Sequence, residues 1–208
     1  MSINSHNDNF GLDLSTVFAG GRLCLDFVNT WCMRRDVELE FLNGSAELKR
    51  WLCQADGFHG THLGDGPAWS DEDGHRRLEE ALELRAALRE LALSVIEKRV
   101  ASADALDTVN AVLRAHPTYG QIAIGDAGFR EAEAGAREDW LATIARDAVN
   151  LLCHGDLSLL RQCEHPTCVR VFYDTTKNHR RRWCAEKCGS HSKAAAYYRR
   201  KVAKTAGR

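Results

Sequence analysis

Apolar residues recur three and four positions apart along several stretches of the chain, which is the spacing of one face of an α-helix. The longest stretch runs from about 71 to 99. Its apolar stripe consists of Ala81, Leu84, Leu88, Leu91 and Val95. Ser70, followed three residues later by Asp73, resembles a helix-capping box. The pattern predicts a long helix with one face on a core.

Three shorter stretches predict further helices. Ser45 precedes a short one, Ser102 caps another, and a third opens at Asp139. Residues 121–133 alternate around a Gly-Asp-Ala-Gly turn, which favours a small β-hairpin. The predicted fold class for this part of the chain is mainly α with small β elements (α+β).

The C-terminal part has a different pattern. Residues 169–174 are β-branched and aromatic, which favours a strand. Residues 180–183 would then return as a second strand. After Cys188 the chain is a strong helix former, and Ser190 is a plausible N-cap. The order predicted is a β-hairpin followed by a helix.

Charge divides the chain in the same place. The whole chain has 208 residues and a formal net charge of −1, which at face value argues against nucleic-acid binding. From residue 161 onward, however, there are 13 Lys and Arg against three Asp and Glu, a net charge of +10. The first 160 residues hold 15 basic and 26 acidic residues, a net charge of −11. This asymmetry suggests a basic binding module attached to an acidic domain.

Four of the eight cysteines fall within 26 residues of the basic part. They are Cys163, Cys168, Cys184 and Cys188, spaced as C-x4-C and C-x3-C on either side of a 15-residue segment. Two close pairs can bring four sulfurs to one tetrahedral zinc ion, and an iron–sulfur cluster is the rival. The remaining cysteines, among them Cys24 and Cys153, are interpreted as core or near-core residues.

A hairpin followed by a helix, with the last two cysteines at the helix start, is a treble-clef-like zinc finger. The finger would present a basic surface that neutralises phosphates. Its tyrosines could donate hydrogen bonds to phosphates or stack on bases. The candidate nucleic-acid-binding residues are Arg180, Arg181, Arg182, His191, Lys193, Tyr197, Arg199, Arg200, Lys201 and Lys204.

Polar residues interrupt the apolar segment near the start of the chain. Asp26 and Asn29 lie among leucine, phenylalanine and valine, and a buried polar group needs a hydrogen-bond partner. They belong either to a satisfied structural network or, together with Arg22, to a ligand pocket.

Familiar catalytic and targeting motifs are not found in the sequence. It has no nucleophile elbow, phosphate-binding glycine loop or zinc-protease helix, which argues against an enzyme. No run of 18 apolar residues predicts a membrane span, and the polar N-terminus is unlike a signal peptide. We therefore expect a cytoplasmic protein that does not act on membranes.

Two sets of residues resemble a known family. The C-terminal set contains Cys163-x4-Cys168, Phe172-x-Asp174, Asn178 and Arg181-Arg182-Trp183-Cys184-x3-Cys188-Gly189, and it resembles the CGNR zinc finger. The upstream set contains Gly21-Arg22-Leu23, Leu25-Asp26-Phe27-Val28-Asn29-Thr30, Leu48 and Trp51-Leu52, and it resembles the ABATE domain that precedes that finger. The resemblance implies a stress-induced transcription regulator whose finger binds DNA and whose N-terminal domain senses a ligand.

The sequence departs from the family in its signature, which reads Cys188-Gly189-Ser190-His191 where the family has Cys-Gly-Asn-Arg. Histidine cannot supply a permanent guanidinium. If the family's arginine contacts DNA, this contact is lost or depends on pH. If that arginine is structural, little changes.

The leading hypothesis is a two-domain regulator. Residues 1–156 would form an ABATE-like domain for ligand sensing or assembly, and residues 157–208 a basic finger with one structural zinc. The expected partners are double-stranded DNA and a small-molecule effector. The alternatives are an RNA-binding or protein–protein adaptor module, and an enzyme with a site near Asp26.

Overall fold

The computed structural model describes residues 14–34, 37–61, 63, 69–126, 128–135 and 139–206. In chain order the helices and strands are α1 Leu23–Val28, β1 Trp31–Arg34, β2 Val37–Glu40, α2 Ser45–His59, α3 Asp71–Glu97, α4 Ala103–Ala115, β3 Thr118–Gly125, β4 Gly128–Gly135, α5 Trp140–His154, β5 Leu160–Gln162, β6 Val171–Tyr173 and α6 Glu186–Ala206. Short 3-10 helices lie at Leu14–Val17 and Leu157–Leu159. The predicted fold class is confirmed: helices dominate the described residues, and the strands among them form antiparallel pairs.

The predicted helix starts match the structure. The Ser70 hydroxyl accepts a hydrogen bond from the amide of Asp73, and Ser102 caps α4 in the same way. A carboxylate oxygen of Asp139 accepts from the amide of Leu141 at 2.8 Å. Each cap satisfies an amide that the first helical turn leaves unpaired.

Helix α1 lies at the centre of the core. All six of its residues are buried, and it packs against α3 and α5. The largest fully buried side chains around it include Phe27, Trp51, Leu84 and Ile144. A helix buried on every side shows no amphipathic periodicity, which is why the sequence pattern did not reveal it.

The two strands of the finger belong to this same core. Leu160 in β5 and Val171 in β6 are buried with the side chains of the helical domain. The strands pair antiparallel, with Leu160 opposite Tyr173. The predicted extents 1–156 and 157–208 therefore describe two parts that share one hydrophobic interior.

Two details predicted for the finger are wrong. Residues 180–183 are not a strand, because β6 pairs with β5 upstream of it instead. Ser190 does not cap the last helix, since α6 already begins at Glu186. Gly189 packs against the Trp183 ring, where a Cβ would lie 3.1 Å from the ring, so close packing explains this glycine better than a helix boundary does.

Candidate metal centre and its contact with the helical domain

Four cysteine sulfurs meet at the tip of the finger. One sulfur from each of Cys163, Cys168, Cys184 and Cys188 lies within 4.8 Å of all the others, and all four residues are buried. The Sγ atoms of Cys168 and Cys188 each lie 3.7 Å from the Sγ of Cys184. A tetrahedral zinc ion with bonds of about 2.3 Å spaces its sulfurs roughly 3.8 Å apart.

Local backbone structure places these ligands. Cys163 and Cys168 lie on the turn between β5 and β6, where the Cys163 amide donates to the Arg170 carbonyl at 2.9 Å. Cys188 lies in the first turn of α6. The Cys184 amide donates to the Cys163 sulfur at 3.4 Å, which ties the two halves together. The donor set and its spacing fit one structural zinc ion.

A buried carboxylate braces the loop that leads to the second cysteine pair. Asp174 is fully buried and accepts hydrogen bonds from the Thr176 hydroxyl at 2.6 Å and the Arg181 amide at 2.8 Å. Burial alone would raise the pKa of Asp174, but these hydrogen bonds and the nearby Arg161 outweigh burial and lower it. The carboxylate is therefore held in its charged form as a loop brace.

Arg181 is turned into the protein. Its guanidinium lies 4.5 Å from the centre of the Phe172 ring and donates to the carbonyl oxygens of Ala19, Trp183 and Cys184. The sequence predicts Arg181 as a nucleic-acid contact. In the structure, Arg181 supports the metal loop and joins that loop to the helical domain.

Most of the other predicted nucleic-acid residues are exposed. They are Arg180, Arg182, His191, Lys193, Tyr197 and Lys201. The side chains of Arg199, Arg200 and Lys204 lie outside the described residues, although their backbone is part of α6. The finger therefore presents several cations to its surroundings.

Two of these cations flank an aromatic ring. The Arg182 guanidinium lies 5.0 Å and the Lys193 ammonium 5.7 Å from the centre of the Trp183 ring. Arg182 also forms an ion pair with Glu164 at 2.6 Å. His191, at the position of the family's arginine, has its ring 6.2 Å from that of His165.

The three residues predicted for a ligand pocket all have protein partners. Arg22 forms an ion pair of 2.6 Å with Asp147. The Asn29 side chain donates to the Val171 carbonyl at 2.9 Å and accepts from the Val171 amide at 3.0 Å. These contacts match the structural alternative, and the ligand pocket stays a prediction.

Asp26 pairs with a histidine that sequence reasoning did not select as its partner. One carboxylate oxygen of Asp26 lies 2.8 Å from Nε2 of His59, and the other accepts from the Gly20 amide at 2.6 Å. Asp26 and His59 are 33 positions apart, and only the folding of α2 onto α1 brings them together. No local spacing signal could have found the pair.

The segment around Gly20 also forms hydrogen bonds with the finger. The Gly20 carbonyl accepts from the Tyr173 amide at 2.7 Å. Gly21 has a φ of +77°, and a Cβ there would lie 3.0 Å from the Tyr173 carbonyl oxygen, so this close approach requires glycine. Asp26, Gly20 and Tyr173 thus form a continuous hydrogen-bonded connection from the helical domain to the finger.

We expect Asp26 to give the folded chain a measurable pH dependence. Burial raises the pKa of Asp26, against the lowering effect of its hydrogen bonds from His59 and Gly20. A carboxyl whose folded-state pKa is raised stabilises fully below its unfolded pKa, and that stability is lost as pH rises through the folded pKa. The Asp26→Asn variant has no carboxyl at this position and lacks this pH dependence. The unfolding free energy of the unsubstituted chain minus that of Asp26→Asn should therefore fall as pH rises above about 4, the ordinary pKa of an aspartate in an unfolded chain.

Urea titrations at saturating zinc measure this difference, and zinc release at low pH affects both proteins alike. Asp107→Asn, on the exposed face of α4, is the matched control and should leave the pH profile unchanged. A difference that stays flat or grows with pH for Asp26→Asn would contradict the expectation.

Together, the helical core and the four-sulfur site define a zinc-finger protein with a helical N-terminal domain. Residues 21–155 match the ABATE family, described as "Putative stress-induced transcription regulator". Residues 160–201 match the CGNR zinc finger. The chain belongs to the ABATE family and carries a CGNR zinc finger at its C-terminal end.

A comparison with curated proteins found no match. Both matched families are regulatory or zinc-finger families rather than enzyme families. Among the described residues, no helix combines the length and the apolar character needed to cross a bilayer.

Proposed function

We propose that this chain is a zinc-dependent, DNA-binding transcription regulator that is not an enzyme and acts in the cytoplasm. The observation that carries the proposal is the concentration of exposed cations on a finger whose four sulfurs fit zinc. Four cysteines gathered at one site as metal ligands suit a reducing compartment.

The finger supplies both charge and aromatic surface. Arg180 and Lys193 are exposed, and Lys193 lies beside the half-buried Trp183 ring. Cations at the surface neutralise phosphates and release condensed counterions, which drives association with a duplex. Arg182 would first have to leave its ion pair with Glu164. Helix α6 provides the elongated element that a groove accepts.

The helical domain would act as the sensor. Its Ala19–Gly21 segment touches Asp26 on one side and both Tyr173 and Arg181 on the other. A small molecule that shifts this segment would move the finger through these hydrogen bonds. Because the contacts are direct, sensing needs no flexible linker between the two parts.

Binding of the zinc-loaded chain to a random-sequence duplex should weaken steeply as salt rises. The slope of log binding constant against log salt should be about −0.9 per phosphate neutralised. Arg180→Ala should weaken binding across all duplexes and reduce the slope by about one phosphate. Arg114→Ala, an exposed cation at the end of α4, is the control and should leave both unchanged. Fluorescence anisotropy at several salt concentrations measures both quantities.

Three outcomes would overturn the proposal. Binding that does not change with salt would exclude phosphate neutralisation. Tighter binding to structured RNA than to duplex DNA at equal salt would favour the RNA-binding alternative. Capture of a protein partner that survives nuclease treatment, with no nucleic-acid binding, would favour the adaptor.

A further inference from the structure

The β3–β4 hairpin leaves large apolar side chains uncovered. Its two strands have eight residues each and pair with one another in a two-stranded sheet. The exposed fractions are 65% for Tyr119, 81% for Ile122, 85% for Ile124 and 87% for Phe129. An isolated two-stranded hairpin is only marginally stable in water. Large exposed apolar patches mark interaction sites, and this one indicates a partner that covers the hairpin.

Three of these side chains share one face of the hairpin. Ile122 and Ile124 are two positions apart on β3, and Phe129 lies directly opposite Ile124 on β4. Beside them is an open groove of about 530 Å³, lined by Gly120, Gln121, Ile122, Phe129 and Arg130. The apolar positions of this face lie along β3 and at Phe129, whereas Glu131 and Glu133 lie opposite Ile122 and Gly120 on β4. The apolar part of the face therefore lies toward the outer edge of β3.

The two edges of the hairpin differ in charge. β3 reads Thr-Tyr-Gly-Gln-Ile-Ala-Ile-Gly and contains no charged residue and no proline. β4 contains Arg130, Glu131 and Glu133. Proteins protect exposed sheet edges against pairing with charges, proline or bulges, and β3 carries no charge and no proline. An uncharged edge beside an apolar face fits another uncharged strand.

We propose that β3 pairs antiparallel with β3 of a second copy of this chain, forming a two-fold symmetric dimer with a four-stranded sheet. Pairing β3 with its own copy opposes no like charges in any register, whereas β4 contains three charged residues that its own copy would repeat. Charge therefore selects β3 as the shared edge. A two-fold contact is self-complementary, so both copies use the same strand.

Symmetry requires that one residue of β3 lies beside its own copy on the axis, and Ile122, the central isoleucine-bearing position of the exposed edge, is the one that we assign. Residues opposite one another in an antiparallel pair point to the same face, so a two-fold axis perpendicular to the sheet must pass between identical residues. Centred on Ile122, the pairing places this side chain beside its own copy and Gly120 opposite Ile124. The isoleucines of both copies, Ile122 and Ile124, then form one contiguous group at the centre of the four-stranded sheet.

The test is the oligomeric state of the full, zinc-loaded chain. Sedimentation equilibrium should show a dimer, and Ile122→Lys should raise its dissociation constant at least about 100-fold. The variant removes two apolar side chains from the contact and opposes two ammonium groups on the axis. Val100→Lys is the matched control, since Val100 is 91% exposed in the loop between α3 and α4. The control should remain dimeric.

Ile122→Thr guards against misfolding, because threonine keeps the strand preference without the apolar surface. It should weaken the dimer while leaving the circular dichroism spectrum unchanged. Hydrogen exchange should show protection of β3 amides that rises with protein concentration. A chain that stays monomeric, a dimer unaffected by Ile122→Lys, or protection confined to β4 would each overturn the proposal.

Discussion

Replacing Cys184 with serine is expected to abolish zinc binding and to unfold the finger. Cys184 is buried, and its sulfur lies 3.7 Å from those of Cys168 and Cys188. Structural zinc contributes a binding free energy on the order of 10 kcal/mol to folding. Its loss also uncovers the shared core, because Leu160 and Val171 are held there by the two strands that the metal joins. We therefore expect a large fall in Tm in addition to loss of metal.

Zinc content by elemental analysis and thermal unfolding by circular dichroism measure the two effects. Cys153→Ser is the matched control. The sequence pattern predicts Cys153 in or near the core, but in the structure it is an exposed free thiol at the end of the apolar stripe of α5 and is not a ligand. It should retain one zinc per chain and the original Tm. A Cys184→Ser chain that still binds zinc tightly and melts like the control would refute the assignment of the site.

Phe172→Ala is expected to lower the free energy of unfolding by about 4 kcal/mol. This value lies in the middle of the range that replacing a buried phenylalanine with alanine costs in protein cores. Phe172 is fully buried among the four cysteines. Its ring also packs against the Arg181 guanidinium. That guanidinium donates to two carbonyl oxygens of the metal loop and to one of the helical domain. The substitution leaves a cavity next to the sulfurs and removes the surface on which Arg181 rests.

Urea unfolding at saturating zinc measures this loss. Leu106→Ala is the control, because Leu106 is a large apolar side chain exposed on α4 and should cost far less. Zinc affinity should fall together with stability for Phe172→Ala only. Equal stabilities for the two variants would show that the ring does not support the centre.

The metal centre could be read from the sequence, whereas its attachment could not. Zinc imposes short, regular spacings on its ligands, and this spacing identifies the four cysteines Cys163, Cys168, Cys184 and Cys188 in the sequence. The helix caps at Ser70 and Asp139 are equally local signals, and they too were found. Each of these depends on residues within a few positions of one another.

The contacts that join finger and helical domain depend on distant residues. Asn29 and Val171 are 142 positions apart, and Arg181 reaches Ala19 across 162. A sequence pattern shows that Asn29 is buried and polar, but it does not show which backbone group satisfies it. The same holds for Arg181, since a basic run predicts a solvated or phosphate-binding face, and only the packed structure turns one member inward.

The bond between Asn29 and Val171 also bears on the life of the newly made chain. Strand β6, which carries Val171, leaves the ribosome after the whole helical domain, and closing so long a loop is a late and slow step in folding. Until zinc has joined the two cysteine pairs, the helical domain exposes the apolar surface that β5 and β6 later cover. In a cell short of zinc, more of these chains would therefore be degraded by proteases, and the amount of this protein would follow the supply of metal.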